Sequence, residues 1–185
     1  MAYSAAALSM LDRLGIPVAL VVAKRLMEFT EATTLEVVEV GAGGRTHRLV
    51  PPAAQAWSRL RARAGAEGVE LHIVSAFRSV DYQVSIIEKK LKAGQSIEQI
   101  LAVSAPPFFS EHHTGLAVDV GTPGCMTLQR EFEDTPAFAW LSAHAASFGF
   151  QLSYPRDNPN GYDYEPWHWR FSLQDRPTIR TSTAP

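Results

Sequence analysis

The stretch Ser110-Glu111-His112-His113-Thr114-Gly115-Leu116-Ala117-Val118-Asp119 constrains this chain more than any other. Leu116, Val118 and Val120 alternate with Ala117 and Asp119, so the segment reads as a short strand with an apolar face and a second face carrying one carboxylate. A carboxylate on the inner part of a sheet has to be paired, hydrogen-bonded or metal-bound, because an isolated buried charge costs more than a fold can spare. Gly115 allows a tight turn just before the strand and brings a loop imidazole beside Asp119.

One His and one Asp make half a zinc site. The other half stands near the far end of the chain, in Tyr164-Glu165-Pro166-Trp167-His168-Trp169-Arg170. If Trp167, Trp169 and Phe171 share one face of a strand, His168 and Arg170 occupy the other. Glu165 then falls just before the strand, where Pro166 forbids regular pairing. Two imidazoles, one carboxylate and a spare Glu are the set a catalytic zinc needs: three protein ligands, an open position for water, and a base for the water's proton.

Ser110-x-His112-x-x-Gly115-x-Ala117-x-Asp119, followed by Glu165-x-x-His168, resembles the signature of the VanY-type zinc D-alanyl-D-alanine carboxypeptidases. The wider group includes D,D-dipeptidases and phage L,D-endopeptidases. Ser75-Ala76-Phe77-Arg78-Ser79 is similar to that family's Ser-Gly-Tyr-Arg-Ser segment. Trp140-Leu141 through Phe148-Gly149-Phe150 is similar to its late helix and turn, and Gly161-Tyr162-x-Tyr164-Glu165-Pro166-Trp167-His168 to its terminal motif. The resemblance covers roughly residues 45 to 172. One departure stands out: the family usually shows Leu-Arg-Tyr-Pro where this chain has Leu152-Ser153-Tyr154-Pro155.

The resemblance implies a single α+β domain of the Hedgehog/D,D-peptidase kind, a small antiparallel sheet flanked by helices with a zinc cleft over the sheet. It implies one Zn2+ per chain held by His112, Asp119 and His168, with Glu165 as the base. Spacing to Asp119 and the family pattern choose His112 over His113, which is expected to be a loop residue free to vary. Arg78 is expected to stabilise the oxyanion or to clamp the terminal carboxylate, Ser110 to hydrogen-bond substrate, and Gln83 to lie near it. The implied activity is removal of the terminal D-residue from peptidoglycan stem peptides. The alternatives are a D,D-dipeptidase, an L,D-carboxypeptidase, an endolysin-type endopeptidase, and a zinc-containing module that binds cell wall without cutting it.

With 185 residues, 46% of them hydrophobic, the chain suits one domain with a real core. A net charge of −2 gives no basic field for nucleic acid, and no Lys/Arg run suggests a membrane surface. Cys125 is alone and forms no intramolecular disulfide. Ile16 to Ala23 is the one apolar run near the N-terminus; Pro17 and the flanking charges make it a poor export signal, and nothing approaches a membrane span. The chain as given therefore reads as cytoplasmic and monomeric, with a cell-wall site of action left open.

Residues 1–44 are read as helices and a hairpin strand packed on the core, 45–172 as the peptidase core, and 173–185 as a polar, mobile tail. Helical spacing over 3–29 breaks at Gly15-Ile16-Pro17; strands are expected at 35–40 and 46–50, and a helix from Pro51-Pro52 to about 64. A strand follows at 70–75, then helices capped by Asp81 and Ser96, another opening at Thr135-Pro136, and a strand over 150–154. His47 is expected to be exposed or half-exposed on its hairpin, His144 to lie on a helix surface, and Arg59, Arg61 and Arg63 to form a solvated face.

Overall fold

A computed structural model describes residues 3–41 and 44–172; residues 1, 2, 42 and 43, and the segment 173–185 read above as a tail, lie outside the described residues. In chain order the elements are α1 (Ala5–Arg13), α2 (Val18–Ala23), β1 (Glu36–Val40), β2 (Thr46–Leu49), α3 (Pro51–Ala66), β3 (His72–Ser75), α4 (Val80–Lys92) and α5 (Ile97–Val103). A 3-10 turn over Glu111–Thr114 leads into β4 (Ala117–Gly121), followed by α6 (Pro136–His144), β5 (Phe150–Leu152) and β6 (His168–Phe171).

β1 and β2 form an antiparallel hairpin, while the other four strands make an antiparallel sheet in the order β3-β4-β6-β5. β4 is central and buried along its whole length, so Asp119 has no solvent face to escape to. The register sets Asp119 opposite His168 on one side and opposite Ser75 on the other. Opposed residues in antiparallel strands hold their Cβ atoms about 5 Å apart. Two site residues from distant parts of the chain are thereby neighbours by strand pairing alone.

Two apolar clusters flank this sheet. One packs α3 and α6 against the strands through Trp57, Leu60, Leu141, Val118, Phe150 and Trp169. The other joins Ala7, Leu11, Leu14, Ile16 and Val21 of the N-terminal helices to Val84 and Ile87 of α4, Ile100 and Leu101 of α5, and Tyr154 and Tyr162. The N-terminal segment thus buttresses the elements that build the cleft wall.

Local signals set several element ends. Ser96 and Gln99 form a reciprocal capping box on α5, and the Thr135 side chain accepts from Phe138 N–H ahead of Pro136. Gly115 adopts φ +64°, and a Cβ there would lie 2.9 Å from Leu35 and 3.2 Å from the Val50 amide nitrogen. Only glycine fits that approach without strain.

Three local expectations need correction. Ser79, rather than Asp81, caps α4, accepting from Tyr82 N–H and leaving Asp81 in the first turn where its charge favours the helix dipole. His47 is buried, because the hairpin folds back so that Gly41 lies against its ring, and burial lowers its pKa. His113 is fully buried and hydrogen-bonded through both ring nitrogens, so it is a structural clamp of the loop and not an unengaged residue in it. Among the described residues no helix is long and apolar enough to cross a membrane.

Candidate active site

Asp119 and His168 arrive by strand register, and His112 arrives by the 3-10 turn that Gly115 closes. Their ligating atoms all lie within 4.8 Å of one another, and all three residues are buried. His112 Nδ1 sits 2.6 Å from the Ala76 carbonyl oxygen, which can only accept, so Nδ1 carries the hydrogen and Nε2 presents a lone pair. That lone pair faces Asp119 Oδ2 at 3.2 Å, and among the described residues His112 Nε2 has no hydrogen-bond partner despite being buried. Two buried acceptors aimed at one another are repulsive unless a cation stands between them. The donor set and this orphaned nitrogen fit a tetrahedral divalent metal with a fourth position open.

His168 presents the other geometry. Its Nδ1 lies 3.0 Å from Asp119 Oδ1 and its Nε2 lies 2.9 Å from Glu111 Oε2. Glu111 also accepts from Ser153 Oγ at 2.6 Å and lies 3.8 Å from Arg170 Nη1. The side chain at the family's usual arginine position therefore bears on the carboxylate that holds His168. Glu111 is not singled out in the sequence because its partner lies 57 residues away and no local pattern marks the pairing.

Charges in the pocket follow from burial and these contacts. Burial drives His112 down to about 4, helped by Arg78, so its imidazole is neutral and able to ligate. Burial works against His168 too, but the hydrogen bonds to Asp119 and Glu111 outweigh it and lift its pKa to about 10. Burial would raise Asp119, yet the hydrogen bond and positive charge of His168 hold it well below the usual carboxylate range. Without metal, the His168 imidazolium is the cation the carboxylates demand; a metal would take the place of its Nδ1 proton while Glu111 kept Nε2–H.

Glu165 ends its loop 3.9 Å from His168 Nδ1, on the side of the ring that faces the cluster. Burial lifts its pKa to about 7, with His168 opposing and Asp119 adding to the rise. A carboxylate near neutrality beside a metal cluster has the proton affinity a general base requires. Arg78 is half-buried, with Nη1 4.0 Å from Asp119 Oδ2 and, among the described residues, no partner for Nε; burial lowers its pKa while Asp119 and Glu165 favour its charge.

These groups line one cleft of about 400 Å³ that also takes in Ser110, Gln83, Lys90, Tyr154, Tyr162 and Trp167. Ser110 is buried in its lining. Gln83 is buried rather than solvated: Nε2 donates to the Ala105 carbonyl at 2.8 Å, and among the described residues Oε1 has no partner. His113 stays out of the cluster. Its Nδ1–H donates to the Arg78 carbonyl at 2.7 Å and its Nε2 accepts from Phe108 N–H at 3.2 Å, so it clamps the Arg78 segment to the metal loop. His144 is exposed on α6, stacked beside Trp140 and away from the cleft.

Known proteins resemble this chain in sequence and in fold. The profile of the VanY family, described as D-alanyl-D-alanine carboxypeptidase, matches residues 46–174, well over half of the chain. The putative carboxypeptidase YodJ of Bacillus subtilis is 35% identical over 124 residues, covering 64% of this chain and 44% of the relative, so the chain spans under half of that protein's length. The LdcB LD-carboxypeptidase, solved for its recognition of peptidoglycan, superposes with a TM-score of 0.68 at 30% identity, over 76% of this chain and 69% of that one. A vancomycin-resistance D,D-pentapeptidase VanY, solved in complex with Zn(II), does so with a TM-score of 0.59 at 28% identity, over 80% of this chain and 87% of that one. Buried His-Asp-His geometry, fold and sequence profile agree: this chain belongs to the VanY family of D-alanyl-D-alanine carboxypeptidases.

Proposed function

We propose that the chain is a zinc peptidase that removes the terminal D-residue from peptidoglycan stem peptides, with His112, Asp119 and His168 as the ligands. The observation that carries this reading is the placement of Glu165: a carboxylate with its pKa raised to about 7 stands beside the ligand cluster inside a cleft. A closed structural zinc site has no use for such a group, which disfavours a binding module that does not cut.

Zinc at this site would supply a Lewis acid that polarises the scissile carbonyl and makes water more acidic. The chain supplies the rest. Glu165 accepts the proton of the attacking water and delivers it to the leaving amine. Arg78, already neighbour to Asp119, stabilises the oxyanion that develops as the carbonyl carbon becomes tetrahedral. Ser110 in the cleft lining and Oε1 of Gln83, which has no partner among the described residues, offer hydrogen bonds to the peptide.

The similar proteins cut different bonds, one an LD-carboxypeptidase and another a D,D-pentapeptidase. The deciding experiment incubates zinc-loaded protein with muropeptides of defined stem length and reads the products by mass spectrometry. Loss of one alanine from a pentapeptide stem is the expected result. Loss from a tetrapeptide only would make it an L,D-carboxypeptidase, release of a dipeptide a D,D-dipeptidase, and intact peptides beside bound zinc a non-catalytic module.

A further inference from the structure

Lys90 lines the same cleft as Arg78, Glu165 and His168, and the chemistry above gives it no task. It gets there by helix geometry. Gln83, Ile86 and Lys90, at positions i, i+3 and i+7 of α4, share one face, and all three line the cleft. Arg78 stands just before the start of that helix and lines the same cleft.

The ammonium is anchored without being neutralised. Lys90 Nζ donates to Ser104 Oγ at 2.6 Å, which ties α4 to the residue that ends α5. An ammonium has three donors, and this bond uses one. Among the described residues no carboxylate lies within ion-pair distance of Lys90. Arg78, by contrast, already has Asp119 as a neighbour. Burial lowers the Lys90 pKa while Glu165 supports its charge and Arg78 opposes it, so the ammonium stands within electrostatic reach of both. A half-buried cation with spare donors and no counter-ion, facing a substrate cleft, is a receptor for an anion that the ligand brings.

We propose that Lys90 docks the free α-carboxylate of the residue to be released, leaving Arg78 for the oxyanion. The assignment rests on the carboxypeptidase reading and deepens it: it gives the two tasks open to Arg78 to two different residues. It also states why the site acts at chain ends, since an internal peptide bond brings no carboxylate to that position and would leave the ammonium facing an uncharged segment.

The test uses zinc-loaded Glu165→Gln protein, to slow turnover, and two ligands: an N-acylated peptide ending in D-Ala-D-Ala and the same peptide with a C-terminal carboxamide. Titration calorimetry gives both affinities. The free acid should bind about 10- to 100-fold more tightly than the amide, as expected for a charge-assisted hydrogen bond. Lys90→Gln keeps a donor for Ser104 while removing the charge, and should bring the acid to the affinity of the amide; Lys90→Arg should restore most of the difference. If the acid preference survives in Lys90→Gln, or moves with Arg78→Lys instead, Lys90 is not the carboxylate receptor, and the carboxypeptidase reading stands without it. If the protein with Lys90 intact binds neither peptide, both fall.

Discussion

Glu111 Oε2 lies 2.9 Å from His168 Nε2, on the ring edge opposite the one that meets Asp119. A ligand histidine held in this way has its tautomer and ring orientation fixed, and carboxylate partners of this kind typically contribute 10- to 100-fold to metal affinity. Glu111→Ala should weaken zinc binding by about that factor while the fold persists. Competition against a chelator of known affinity measures it. An unchanged dissociation constant would mean that strand pairing alone orients His168.

Glu165→Gln should retain zinc and lose about 10²- to 10⁴-fold in kcat, because it removes the proposed base and keeps the side chain's shape. Zinc content by elemental analysis, alongside turnover of a pentapeptide stem, separates the two effects. Turnover within a few-fold of the parent would dismiss Glu165 as the base.

The pH profile has a defined sign. Glu165 must be ionised to accept a proton, so kcat/KM should rise with pH through its pKa. In the metal-free protein that pKa is about 7; a nearby divalent cation favours the carboxylate, so the acidic limb of the zinc enzyme should lie below that value. The profile of kcat/KM against pH, taken at fixed zinc occupancy, locates the limb. A limb above pH 7 would contradict the assignment.

His112 and His113 should part company on mutation. His112→Ala removes a ligand and should abolish stoichiometric zinc binding. His113→Ala leaves the Arg78 carbonyl and the Phe108 amide without their partner and opens a cavity, so it should cost about 2–4 kcal/mol of stability while the folded fraction still binds zinc. Chemical denaturation of the metal-free proteins and zinc stoichiometry together give the comparison. Loss of metal by the His113 variant alone would reverse the ligand assignment.

Metal-free protein should also lose stability between about pH 6.5 and 10. The His168 pKa rises from its ordinary value to about 10 on folding, so its contribution is fully present below the unfolded value and fades as pH climbs through the folded one. The difference in unfolding free energy between metal-free parent and His168→Ala at pH 6 and pH 10 isolates it. A difference that does not shrink with rising pH would exclude His168 as the charged partner of Asp119.

Much of this protein was legible without coordinates. The alternation around Asp119, the tight turn at Gly115, the caps at Ser96 and Thr135, and the two separated segments carrying His112, Asp119, Glu165 and His168 are local patterns. Backbone sterics and side-chain period act over a few residues, so sequence alone fixes them. The tertiary structure decided what depends on partners far along the chain. It set Asp119 opposite His168, gave Glu111 its imidazole and His113 its two backbone groups, buried His47, and turned Gln83 and Lys90 toward the cleft. Residue type states what a polar side chain can donate or accept, but only the packed chain determines which group it meets and how little water remains to compete.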